Sequence, residues 1–273
     1  MLEFADLYYD LAYECIRTAQ YNAAIENIKK AKDYYKDKKE NIKKIAKCNI
    51  ILGMAYENLE NYIVAGKFFK EAISKAEELE GTSVIIPRAY LEIATCYEKI
   101  DQIRDAIHYC IKAKDAYNPI KEKYENEYIK CYVMMGKYCN EIHLYDKALE
   151  YLLEGVYKIS EANYKSDITK EICSLIADTY LQQHNIRLVS KWREKAILVQ
   201  KYIYPTQYLS LAALLESIDE NEKAAFYYEM AVVRAKDFGE VDAVAHESHL
   251  KMFELFRKCG LNYSADWIRR QIY

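Results

Sequence analysis

Hydrophobic and polar positions along this chain alternate with a helical period, interrupted only by short polar breaks. In the stretch ILGMAYENLENYIVAGKFFKEA, Leu52 and Gly53 are followed by Tyr56, and beyond Asn61 come Ala65, Phe69 and Ala72. This spacing predicts two amphipathic helices joined by a tight turn. Small residues let the two backbones approach, and large ones fill the space beside them.

The arrangement returns seven times. First helices start the pattern at Tyr8, Asn49, Tyr90, Tyr132, Cys173, Tyr208 and His249, and all but the last place Ala or Gly four residues later. Second helices carry Ala24-Ile28-Ala31, Ala65-Phe69-Ala72, Ala106-Cys110-Ala113, Ala148-Leu152-Gly155, Val189-Arg193-Ala196, Ala224-Tyr228-Ala231 and Ala265-Arg269-Ile272. Corresponding residues recur at steps of 41, 41, 42, 41, 35 and 41. Asn22, Asn61, Asp101, His143, Asn185, Asn221 and Asn262 mark the breaks between paired helices, and Pro87 and Pro205 stand near first-helix starts.

This pattern resembles the tetratricopeptide (TPR) repeat, W-x2-L-G-x2-Y followed by A-x3-F and a small residue. The resemblance covers essentially the whole chain. It departs in lacking the leading Trp everywhere and in setting Arg193 and Arg269 at the Phe position. Those two units are expected to pack more loosely, or to lay their arginines along the surface with only the heads in water. Each unit exceeds the usual length of about 34 by roughly two helical turns, one per helix, so the apolar stripe keeps its side. The implied fold is all-α: a right-handed superhelix of about seven TPR-like helix pairs, an α-solenoid of fourteen helices. It forms a single domain over 1–273, with repeats near 5–45, 46–86, 87–128, 129–169, 170–204, 205–245 and 246–273.

Composition agrees with long helices: seven Gly and three Pro among 273 residues, 52% hydrophobic and 30% charged. A net charge of −3 provides no overall basic field for nucleic acid. No apolar run approaches the roughly 20 residues of a membrane span, and MLEFADLYYDLAYE is unlike a signal peptide, so a cytoplasmic protein is expected. The eight Cys form no CxxC pair and read as reduced core thiols. No phosphate loop, GxGxxG or GxSxG occurs. His246-Glu247-Ser248-His249 spaces its histidines by three, whereas a zinc-protease helix needs four. No enzyme activity, metal or cofactor is expected.

At about 100° per residue, a second face of each first helix turns away from the pairing stripe, and in TPR arrays it lines the concave groove. Candidate peptide-binding residues there are Ile50, Met54, Asn58, Leu91, Thr95, Val133, Lys137, Asn140, Ser174, Asp178 and Gln182. Through repeats two to four the face is largely apolar, which suits an extended peptide or a partner helix unless the array closes and buries it. Lys47, Arg88 and Lys130 recur as a cationic ladder, able to grip a carboxylate or to pair with Glu57, Glu92 or Glu98. Lys137, Asn140, Asp178 and Gln182 are expected to converge. The Asn58 and Asn140 amides offer both donor and acceptor to a peptide backbone.

Repeat length, composition and groove character are similar to those of the sensor domains of the RRNPP receptors (Rap, Rgg, NprR, PlcR, PrgX). That resemblance implies a short signalling peptide held in the groove, with Asn58 and Asn140 matching the groove asparagines. It also implies a role in transcriptional regulation, with DNA reached only through a separate N-terminal domain and no direct nucleic-acid contact by this chain. The alternatives are a constitutive adaptor for a protein partner and a Rap-like regulator that sequesters a response regulator. Apolar residues at both ends, Leu2, Phe4, Leu7, Tyr8 and Tyr9 in the first helix and Trp267, Ile268, Ile272 and Tyr273 in the last, point to a homodimer or to a covering domain.

Overall fold

A computed structural model describes residues 2–36, 39–79, 81, 83–238, 241–260 and 268. Among these residues there are thirteen α-helices and no strand. The expected fourteenth helix, with Ala265, Trp267, Arg269, Ile272 and Tyr273, lies outside the described residues, as does Asn262.

The chain divides into two compact units, Met1–Glu154 and Gly155–Tyr273. In the first, α1 (Leu2–Arg17) pairs with α2 (Tyr21–Tyr35), α3 (Ile42–Asn58) with α4 (Tyr62–Glu77), and α5 (Ile85–Lys99) with α6 (Ile103–Tyr117). Next, Tyr132 of α7 (Glu125–Glu141) donates to Glu154 of α8 (Tyr145–Lys158) at 2.9 Å. Each helix from α1 to α7 also packs on the next one in the chain. In the second unit α9 (Asp167–Gln182) pairs with α10 (Ile186–Leu198) and α11 (Pro205–Glu216) with α12 (Asn221–Phe238), which α13 (Val241–Lys258) then covers.

The turns inside the pairs share one geometry. Ala19, Glu60, Asp101, His143, His184 and Asp219 adopt positive φ, between 57° and 60°. These positions repeat the 41-, 41-, 42-, 41- and 35-residue steps of the sequence pattern. Each belongs to a Schellman motif: the Glu60 N–H bonds to Glu57 and the next N–H, of Asn61, reaches back to Tyr56, and the same two bonds recur around Asp101, His143, His184 and Asp219. Asn61 and Asn185 then cap the following helices through Val64 and Leu188. Asn22 and Asn221 instead lie inside the first turns of α2 and α12.

Packing follows the small–large pattern. Ala24, Ile28, Ala31, Ala65, Phe69, Ala72, Ala106, Cys110, Ala113, Ala148 and Leu152 are all completely buried. A methyl added at Gly53 would overlap the Phe69 ring, and one at Gly136 would overlap Leu152, so these glycines set how closely their helices approach. Seven of the eight cysteines are buried free thiols, and Cys259 is exposed. Burial pushes the thiols of Cys48, Cys96 and Cys131 up to about 12. Leu11, which stands just before Ala12 in the first helix of the pattern, is by contrast 47% exposed.

Candidate functional site

In the first unit, residues one helical turn apart on α5 and α7 face a cavity of about 410 Å³. Arg88, Leu91, Glu92 and Thr95 line it from α5, and Glu127, Lys130 and Met134 from α7. Tyr117, at the end of α6, and Tyr124, just before α7, close one end. Four of the residues picked from the sequence, Arg88, Leu91, Thr95 and Lys130, are thus brought together. The tyrosines escaped that reading because they lie at a helix end and in a linker, and Met134, one turn beyond Lys130, was passed over for its neighbour Val133.

The electrostatics are mixed. Arg88 Nε lies 3.9 Å from Glu92 Oε1, a loose contact that leaves the Arg88 side chain 55% exposed. Burial raises the Glu92 carboxyl, against the opposing pull of Arg88 and Lys130. On α3, burial, with Glu92 adding to it, pushes Glu57 up to about 7. Lys47 is exposed on α3.

Toward the other end of the face, Lys137 Nζ bonds to Glu98 Oε1 at 2.7 Å, and the Tyr138 hydroxyl donates to Glu98 Oε2 at 2.9 Å. Burial acts to raise Glu98, but these two hydrogen bonds outweigh it and hold the carboxyl below its usual value. Lys137 therefore already ties α7 to α5. The Asn58 amide donates to the Met54 carbonyl at 2.8 Å, turned back on its own helix. Ile50, Leu91 and Val133 are at most 7% exposed, so a ligand reaches only their edges. Met54 and Asn140 are half-buried.

In the second unit Ser174 and Asp178 line another cavity, of about 370 Å³, between α9, α10 and α11. Gln182 is exposed one turn further along α9. His246 is exposed and His249 half-buried on α13, and burial, with His246 adding to it, lowers the His249 pKa. No described helix is long and apolar enough to cross a membrane. Among the described residues no three His, Cys, Asp or Glu side chains are grouped to hold a metal ion.

No protein-family profile matches the chain. Over 101 residues it is 32% identical to the regulatory protein RapD of Bacillus subtilis, a match spanning 37% of this chain and 28% of RapD. Among solved structures, the C-terminal part of a TPR repeat-containing protein from Cytophaga hutchinsonii superposes with a TM-score of 0.63 at 14% identity. That match covers 97% of this chain and 93% of the other. The apo form of the quorum sensor NprR from B. thuringiensis superposes with a TM-score of 0.56 at 15% identity, covering 98% and 86%. The fold is that of the TPR helical repeats, and the chain is similar both to TPR proteins and to regulators of the Rap and NprR kind.

Proposed function

We propose that this chain is a non-enzymatic, peptide-sensing TPR domain of an RRNPP-type bacterial regulator. A short extended peptide lies across α3, α5 and α7, with a carboxylate of the ligand near Arg88 and Lys130. Leu91 and Met134 supply apolar contact. The carrying observation is the cavity of about 410 Å³ in which two cations from successive repeats, Arg88 and Lys130, stand beside Leu91 and Met134, with Glu92 and Glu127 also on its lining. The stretch of identity with RapD and the fold shared with NprR support the same reading. The regulator works in the cytoplasm and reaches DNA through a separate domain.

Signalling requires that the peptide favour one spacing of α3, α5 and α7 over another, since equal affinity for both spacings shifts nothing. The exposed apolar face of α1, with Phe4 at 61%, Leu7 at 62% and Leu11 at 47%, is proposed as the contact of a homodimer. Hydrogen exchange with a mixed short-peptide pool tests the peptide reading. Added protection is expected in α5 and α7 of the wild type and not in an Arg88→Ala, Lys130→Ala variant. Unchanged exchange in both would count against it.

A further inference from the structure

The Phe position of the repeat closes the gap between paired helices with Phe69, Cys110, Leu152 and Tyr228, none more than 3% exposed. In the fifth pair that position holds Arg193, whose side chain stays 41% exposed. Its Nη2 lies 3.5 Å from Asp178 Oδ1, a single long contact that uses little of a five-donor guanidinium. The cavity of about 370 Å³ opens beside it, within the range of small-ligand sites.

The polar wall of this cavity is largely committed already. Gln207 Nε2 donates to Gln200 Oε1 at 3.2 Å, while Gln207 Oε1 accepts from the Tyr204 N–H at 3.0 Å. Gln200 Nε2 donates to the Ala196 carbonyl at 2.8 Å. What is left is charge. Lys170 stands two helical turns before Asp178 on the same face of α9 and has no ion pair among the described residues. Two cations against one carboxylate give the cavity a net positive lining.

From this geometry we infer a second ligand site, in the second unit, that takes a free carboxylate between Arg193 and Lys170. The repeat has exchanged its packing Phe for an anion-binding Arg. Fixed amides hold the wall in shape, and the Ser174 hydroxyl is at hand for a polar atom beside the carboxylate. The carboxylate is either a peptide C-terminus or a small free acid. This site does not rest on the peptide reading of the first unit and would serve a constitutive adaptor equally.

The test is calorimetric titration of the full chain carrying Arg88→Ala and Lys130→Ala, which removes the first unit's cations, with three probes: a mixed-sequence short-peptide pool with free C-termini, the same pool amidated, and N-acetylglycine. Saturable binding of the free-acid pool is expected, at least about tenfold weaker after amidation, the scale of one lost charge-assisted hydrogen bond. N-acetylglycine binding as well identifies a small carboxylate; binding of the pool alone identifies a peptide terminus. Arg193→Phe, which restores the repeat residue, should abolish binding while leaving helicity intact and melting temperature equal or higher. Lys170→Gln should weaken it by a similar factor. Arg193→Phe made instead in the chain with Arg88 and Lys130 intact should keep the first unit's peptide binding, which separates the two sites. Equal binding of acid and amide pools, no saturable binding of any probe, or full binding by Arg193→Phe overturns the assignment.

Discussion

The backbone of Gly53 on α3 lies directly against the ring of Phe69 on α4, so that a β-carbon there would overlap three ring carbons. The ring is completely buried and cannot swing away into solvent. Gly53→Ala is therefore expected to destabilise the fold by about 1–3 kcal/mol through overpacking, and Phe69→Ala by about 3–5 kcal/mol through the cavity it leaves. Gly66, also helical but with nothing within 4 Å of its missing β-carbon, is the control. Gly66→Ala should be neutral or stabilising by up to about 1 kcal/mol, from helix propensity alone. Urea midpoints at constant m-value check all three.

The six left-handed turn residues carry side chains in a conformation that suits glycine. Glu60 is exposed, and none of its side-chain contacts would be missed. Glu60→Gly should stabilise the protein by about 0.5–1 kcal/mol, the removed strain exceeding glycine's greater freedom in the unfolded chain. The readout is thermal unfolding; a lower melting temperature contradicts the turn geometry.

Glu57 holds its proton more tightly in the folded state than in the unfolded chain, because its carboxyl is buried beside Glu92. A raised acid pKa makes the native state the better proton binder between about 4.5 and about 7. That contribution to stability is fully present below the unfolded pKa and is lost as pH rises through the folded one. Wild type and Glu57→Gln should therefore melt alike near the bottom of this window, where both are neutral. Above it the variant should be the more stable, by on the order of 2 kcal/mol. Denaturation of the two proteins at both ends of the window provides the comparison; a difference that does not change with pH would remove Glu57 as the titrating group.

Much of the fold was written in the spacing. The recurrence of Ala12, Gly53, Ala94 and Gly136 opposite large residues gave the helix pairs, and the left-handed turn residues return at the same steps. What single-helix periodicity cannot show is capture by another repeat. Lys137 looks like a groove cation on α7, yet Glu98, 39 residues earlier, already binds it; Lys32–Glu71 and Lys258–Asp219 bridge the same separation. Tyr117 and Tyr124 line the cavity from a helix end and a linker, where no helical face points at them in the sequence. Arg193 was visible as a departure from the repeat, but the cavity beside it depends on Lys170 and the Gln200–Gln207 pair, drawn from α9, the segment after α10, and α11.

The exposed outer face of α1 bears on assembly. Light scattering of the purified chain at tens of micromolar is expected to give a dimer, and Leu7→Glu with Leu11→Glu a monomer of the same helicity. Both leucines are exposed within the chain, so the substitutions cost the fold little. A wild-type monomer would rule out this contact.

The central claim is that the face formed by α3, α5 and α7 holds a short peptide. Native mass spectrometry of the full chain with a short-peptide pool, run on Arg193→Phe and on the same variant carrying Arg88→Ala and Lys130→Ala as well, tests it most directly. The account predicts a discrete peptide adduct on Arg193→Phe, whose first-unit face is intact, and its loss once Arg88→Ala and Lys130→Ala are added to that variant. Absence of any adduct on Arg193→Phe, or an adduct undiminished by the two further substitutions, would contradict it.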